Sequence, residues 1–306
     1  MTNILIVGIG GVGGYFGGLL SRHFEGHPAV HIHFLSRGAN LAAIQQHGVE
    51  VRYQENSFHT HPKKASDAAS DFGMMDYIIL CIKSYDLNGT LIDLKPCVGD
   101  HTVFVPLLNG VDSREKINKV FPKHMATDGC ANVVTRLIGP GRIERYSVFQ
   151  KMHFGLQGRT DPRLDQLYQI FKEAEIDVTL TPDIQKAIWS KYLFISAAAA
   201  ATSYFDATFD EVTEQRERLS YFEKLVAEIV TLAKRKAIRL SPDIRERVLT
   251  MFRDAPAGAT TSMHSDISNG KARTEIESLI GYVVRESQKY GLAVPHYKQV
   301  YSQLNG

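Results

Sequence analysis

The spacing of apolar positions divides the chain in two. Up to about residue 180 it is dominated by strand signals, and beyond that by helical spacing. Ile4-Leu5-Ile6-Val7 is an unbroken apolar run, the mark of a buried strand. It runs into Gly8-Ile9-Gly10-Gly11-Val12-Gly13-Gly14 and then a small-residue helix pattern, which predicts strand, tight loop and helix in succession. His31-Ile32-His33-Phe34-Leu35-Ser36-Arg37 reads as a second strand. Val49-Glu50-Val51-Arg52 and Ser57-Phe58-His59-Thr60 alternate and predict an inserted antiparallel hairpin. Residues 76–83 and 102–108 read as further buried strands. Residues 130–155 read as strands around a turn at Gly139-Pro140-Gly141, 163–175 as an amphipathic helix, and Val178-Thr179-Leu180 as a short strand. Pro182 stops that strand, and Thr181 or Asp183 can cap the next helix.

From there the spacing is helical to the end, with a long amphipathic helix over 222–236 and a break at Pro256-Ala257-Gly258. Thr274 is expected to cap a helix whose apolar positions are Ile276, Leu279, Ile280 and Val283. The expected class is α/β: a Rossmann-type dinucleotide-binding domain over 1–180, then an all-α domain over 181–306.

The glycines carry the first chemistry. Gly8-x-Gly10-x-x-Gly13 directly behind a strand fits the dinucleotide fingerprint. Gly8 permits the turn, Gly10 has no Cβ to hold a pyrophosphate away, and Gly13 lets helix and strand pack closely. The helix N-terminus offers free N–H groups to the phosphates. Where an NAD site usually places an acid for the ribose 2′-OH, the second strand ends in Ser36-Arg37-Gly38. Arg37 can grip a 2′-phosphate bidentately, so NADPH is favoured over NADH. The competing reading of Arg37 is a solvated loop residue.

Lys83 and Asn109-Gly110 fall where strands end, the edge at which such sheets bind ligands. Lys191 lies inside the apolar run Ala187-Ile188-Trp189-Ser190-Lys191-Tyr192-Leu193-Phe194, either snorkelling or held in a cleft at the domain junction with its charge in use. Ser262 and Asp266 share a helix face at i, i+4. Glu275 opens a helix, where the dipole favours a carboxylate and capping is the structural alternative to chemistry.

Bulk properties narrow the classes. The 306 residues suffice for two domains, and 44% hydrophobic with 22% charged content is ordinary for a globular protein. Lys and Arg number 35 against 33 Asp and Glu, so the charge balance disfavours a nucleic-acid binder. Cys81, Cys97 and Cys130 lie far apart without metal spacing; the sparse, odd count suits a reducing compartment, and Cys81 reads as core. The N-terminus lacks a signal-peptide pattern, and the apolar run over 194–201 spans only 8 residues, so no membrane association and a cytoplasmic location are expected. The all-α half has enough apolar helix surface for a homodimer, although its own core draws on the same residues.

Taken together these residues resemble the 2-dehydropantoate 2-reductase (ketopantoate reductase) family, over nearly the whole chain. Gly8-x-Gly10-Gly11-Val12-Gly13 is similar to the family's opening, and Ile9 falls within it. Ser36-Arg37-Gly38 matches the NADPH-phosphate arginine, Lys83 a second cofactor-contacting lysine, and Asn109-Gly110-Val111 the segment whose Asn meets cofactor and substrate. Trp189-Ser190-Lys191 resembles the motif of the catalytic lysine, Ser262-Met263 with Asp266 the substrate-side helix, and Thr274-Glu275-Ile276 the segment of the catalytic-site glutamate.

The resemblance implies NADPH-dependent reduction of a 2-oxo acid, with Lys191 as proton donor. Glu275 would orient it, Ser262 would hold the substrate carboxylate, and Asn109 would place nicotinamide and substrate together. The chain departs from the family at Ile195 and Ala199, where members often carry Asn; those amides are missing or replaced by Ser196. The Ser262-to-Glu275 spacing of 13 is one longer than usual. Another 2-oxo acid, or a silent NADPH-binding sensor, are the rival readings.

Overall fold

The computed structural model describes residues 1–305. The chain forms two compact units: Met1–Leu108 with Asp112–Ile184, and Asn109–Val111 with the chain from Gln185 onward.

The first unit runs β1 (Thr2–Val7), α1 (Gly11–Phe24), β2 (Val30–Leu35), α2 (Gly38–His47), β3 (Val49–Tyr53), β4 (Asn56–Thr60), β5 (Lys64–Ser66) and β6 (Met75–Leu80). It continues α3 (Leu87–Asp93), β7 (Val98–Pro106), α4 (Ser113–Val120), β8 (Met125–Ala126), β9 (Asp128–Asn132), β10 (Thr135–Gly139), β11 (Arg142–Arg145), β12 (Lys151–Gly155), α5 (Pro162–Glu173) and β13 (Val178–Leu180). Six strands pair in parallel in the order β5-β2-β1-β6-β7-β8. The order reverses direction between β1 and β6, the switch point at which doubly wound sheets bind ligands.

The continuous apolar runs follow from burial on both faces. Ile4, Ile6, Tyr77, Ile79, Val103 and Val105 enter one core, while Leu5, Val7, Ile78, Leu80 and Phe104 enter the other.

The β3–β4 hairpin expected from the alternation is present and antiparallel. It is half of a larger sheet, β10-β11-β3-β4, in which β11 runs parallel to β3. That sheet leans on α1 and explains its second row of small residues. A Cβ at Gly11 would lie 2.6 Å from the Thr135 carbonyl oxygen, one at Gly14 2.4 Å from Ile143, and one at Gly18 2.6 Å from Val51. A third sheet, β13-β12-β9, completes the unit. Helix α5 starts on Pro162, with the Asp161 side chain accepting from the Arg163 N–H at 3.0 Å.

His33 in β2 is 7% exposed, and its Nε2 lies 3.4 Å from Asn3 Oδ1. Desolvation, helped by the charges of His31, Lys64 and Lys63, lowers its pKa to about 4. The unfolded chain, with His33 near its ordinary value of about 6.5, takes up a proton first on acidification. The stability from keeping this imidazole neutral is therefore whole above about pH 6.5 and is lost as the pH falls toward 4, some 3 kcal/mol at the limit. Urea unfolding between pH 7 and 4.5 should show this slope, and His33→Gln should flatten it; an equal slope in the variant would remove His33 as its source.

The second unit is helical: α6 (Ile184–Phe205), α7 (Phe209–Thr213), α8 (Arg216–Arg235), α9 (Ile244–Arg253), α10 (Ser262–Ser268), α11 (Tyr282–Lys289) and α12 (Pro295–Asn305). Among the described residues no strand follows Leu180. Helix α6 is the axis of this unit, with Ala197 to Ala201 fully buried around it.

One expectation is corrected here. Thr274 caps nothing, and its hydroxyl makes no hydrogen bond among the described residues. The carbonyl oxygen of Glu275 instead receives the N–H groups of Ser278 at 3.2 Å and Leu279 at 3.0 Å. The first turn that follows is π-helical, Glu277–Gly281, and passes directly into α11. The helix thus starts one residue on from Thr274, at the carboxylate residue.

Candidate functional site

In the first unit the glycine loop sits between β1 and α1. Gly8 has φ +89°, a left-handed conformation that favours glycine, and a Cβ there would lie 2.6 Å from Ile82. Gly13 faces the loop so closely that a Cβ would lie 2.1 Å from the Gly8 carbonyl oxygen. Around Gly10, by contrast, an added Cβ would meet nothing within 4 Å. An open notch over backbone, at the N-terminus of α1, is what a pyrophosphate needs. Residues Gly8, Ile9, Gly10, Gly11, Val12 and Gly13 thus fit a dinucleotide's phosphates. Ile9 is buried, Val12 packs on the core, and Gly11 gives room to β10.

Asn40 is a residue the sequence reading missed. Its side-chain amide donates to the Ile9 carbonyl at 2.8 Å and to Ser36 Oγ at 3.0 Å, and its Oδ1 accepts from the Gly141 N–H at 2.7 Å. It ties the glycine loop, the end of β2 and the β10–β11 turn together. The only sequence signal was an Asn in the first turn of α2, which reads as ordinary helix-start chemistry.

Arg37 is exposed at the end of β2 and lines a cavity of about 230 Å³ with Leu35, Asp67, Thr90 and Asp93. Its guanidinium makes no hydrogen bond or ion pair among the described residues. Lys83 is half-buried just beyond β6 and opens a short 3₁₀ turn, Ser84–Asp86. Cys81, beside Gly13, has its thiol pushed up to about 12 by desolvation, which suits packing and not reactivity.

In the second unit three of the expected residues come together. Lys191 Nζ donates to Asn109 Oδ1 at 3.2 Å, and Asn109 Nδ2 donates to Glu275 Oε2 at 3.3 Å. The chemistry of the partners fixes the orientation of the amide: an ammonium only donates and a carboxylate only accepts. Gly110, at φ +109°, provides the turn beyond β7 that frees Asn109 for this. Glu275 is 2% exposed, and Lys191 is half-buried on α6. A carboxylate so deeply buried is costly unless hydrogen-bonded and charge-compensated, and the Asn109 amide supplies one such hydrogen bond.

Ser262 is not brought into this string. It is exposed at the first residue of α10 and makes no hydrogen bond among the described residues. Its helix-face neighbour Asp266 is buried and pairs with Lys271 Nζ at 2.5 Å. Ser196 does not replace the missing amides: its buried hydroxyl donates to the Leu279 carbonyl at 2.6 Å and meets the Tyr297 hydroxyl at 2.9 Å. Ile195 is half-buried and Ala199 is buried.

A parallel sheet with a glycine loop open to phosphates, and a helical unit holding a lysine–amide–carboxylate string, are features that fit an oxidoreductase. Comparison with known proteins narrows the class. The family model of ketopantoate reductase PanE/ApbA matches residues 4–158, and that of the family's C-terminal part matches residues 183–306. The chain belongs to the ketopantoate reductase family.

An uncharacterized oxidoreductase of Bacillus subtilis is 28% identical, over 98% of this chain and 97% of that protein. The crystal structure of 2-dehydropantoate 2-reductase from Porphyromonas gingivalis is 27% identical with a TM-score of 0.87, covering 100% of this chain and 99% of that one. D-mandelate dehydrogenase, solved with NADH and anilino(oxo)acetate, shares the fold at 20% identity and a TM-score of 0.86, covering 98% of this chain and 96% of that one. No helix of the described residues is long and apolar enough to cross a membrane.

Proposed function

We propose that this protein reduces a 2-oxo acid to the 2-hydroxy acid with NADPH, and that 2-dehydropantoate, giving pantoate for coenzyme A precursor synthesis, is the first substrate to test. The observation that carries the proposal is the string Lys191–Asn109–Glu275. When bound, the cofactor supplies a hydride to the ketone carbon. Negative charge then builds on the carbonyl oxygen, and the Lys191 ammonium stabilises it and delivers the proton that completes the hydroxyl. Asn109 holds Lys191 at one end of its amide and Glu275 at the other, so both are oriented before the substrate arrives. Ser262, with its hydroxyl uncommitted, is assigned the substrate carboxylate.

Arg37 is assigned the 2′-phosphate, because no acid follows β2 and its guanidinium is uncommitted. A charge-assisted hydrogen bond is worth about 1.5–3 kcal/mol, so Arg37→Ala should raise KM for NADPH roughly 10- to 100-fold. KM for NADH should hardly move. Equal losses with both cofactors would return Arg37 to the solvent.

A second reading keeps the chemistry and changes the acid. One and two turns beyond Lys191, α6 presents Ile195 and Ala199, and Ser196 is engaged elsewhere. A site without those amides discriminates weakly for a substrate hydroxyl. NADPH consumption with 2-dehydropantoate against 2-oxo acids of the same branching but no hydroxyl separates the two. A silent NADPH sensor would bind cofactor and turn over none of them.

A further inference from the structure

The helix that carries Lys191 also grips the segment that carries Glu275. The π-helical turn Glu277–Gly281 begins two residues beyond Glu275. Two hydroxyls of α6 reach its carbonyl oxygens. Tyr192 OH donates to the Ser278 carbonyl at 3.1 Å and lies 3.0 Å from the Leu279 carbonyl, and Ser196 Oγ donates to Leu279 at 2.6 Å. On the other side of the turn, the Glu275 carbonyl receives Ser278 Oγ at 3.0 Å and the N–H groups of Ser278 and Leu279. Tyr192, Ser196, Ser278 and Leu279 are all buried, so water does not compete for these bonds. Behind Ser196 stands Tyr297 OH at 2.9 Å, on a residue whose own N–H is held by Glu228 Oε2 at 3.0 Å.

We propose that Tyr192 and Ser196 are positioning residues that set the place of the Glu275 carboxylate relative to Lys191 by clamping the π turn to the lysine's own helix. This rests on the assignment of Lys191 and Glu275 to the reaction. The widened turn is where a carboxylate's position can shift, and the two hydroxyls sit one and five residues beyond the lysine they serve. Removing either loosens the turn's hold on α6 and lets Glu275 drift from Asn109.

The test is a double-mutant cycle in the full-length protein, with steady-state kcat and KM on an accepted 2-oxo acid and thermal melting read in parallel. Ser196→Ala and Tyr192→Phe are each expected to lower kcat about tenfold, equivalent to one buried hydrogen bond, with KM for NADPH unchanged. On a Glu275→Gln background the same substitutions should cost kcat nothing further, while their effects on melting persist. Additive losses of kcat on that background, or a fall in melting temperature with kcat intact, would overturn the clamp. Should Ser196→Ala fail to fold, Tyr192→Phe carries the cycle alone. Should Glu275→Gln and Lys191→Ala leave turnover untouched, the assignment of the reaction fails instead, and the two failures are told apart.

Discussion

Replacing Lys191 with alanine should lower kcat roughly 10²- to 10⁴-fold, the span of general acid catalysis, and leave NADPH affinity nearly intact. The size follows from what is removed. The Lys191 ammonium donates to Asn109, and on the proposed reading its loss leaves the growing charge on the substrate oxygen facing an amide and a buried carboxylate. Cofactor binding is assigned to the glycine loop and Arg37, which belong to the other unit and lose nothing. Arginine at 191 should rescue little: it keeps the charge, but its proton is held too tightly to be delivered at neutral pH. NADPH binding followed by fluorescence, beside steady-state turnover, separates the effects. Wild-type turnover in the alanine variant would remove Lys191 from the chemistry.

How much of this was legible in the sequence depended on how local the cause was. The buried strands and the glycine loop were readable because steric rules act within a few residues: Gly8 needs its positive φ wherever the chain goes. The β3–β4 hairpin was readable for the same reason, but its completion by β10 and β11 was not, since Arg142 pairs with Glu50 across 92 positions. The glycines at 11, 14 and 18 signalled only a small-residue helix face, and the sheet lying against it had to be seen. Lys191, Glu275 and Asn109 were picked out as residue types in suggestive settings, and the place of Asn109 between the other two emerged only in three dimensions. Asn40 was missed and the role of Ser196 stayed open because a single polar residue at a helix start, or within an alanine-rich helix, looks the same whether it staples a loop or faces solvent. The irregular, π-helical first turn was not legible in the spacing that had placed Thr274 as a cap.

The paired substitutions Gly10→Ala and Gly13→Ala should fail in opposite ways, and the contrast tests the phosphate assignment without any substrate. At Gly13 the added methyl would sit 2.1 Å from a backbone oxygen and 2.8 Å from Cys81 Cβ, and neither is the end of a flexible side chain. Helix and strand must separate, so Gly13→Ala should lose about 3 kcal/mol of stability or more, the upper end of overpacking costs. At Gly10 the methyl meets nothing, and φ −94° suits alanine, so stability should hold. If the notch above Gly10 takes a pyrophosphate, the same methyl stands between it and the loop's N–H groups. Losing a charge-assisted hydrogen bond of about 1.5–3 kcal/mol weakens NADPH binding roughly 10- to 100-fold. Melting curves and cofactor titrations on both variants check this. A Gly10→Ala protein that melts normally and binds NADPH like the wild type would mean the loop is a tight turn that cradles nothing. The hydride source would then have to bind somewhere other than the α1 N-terminus.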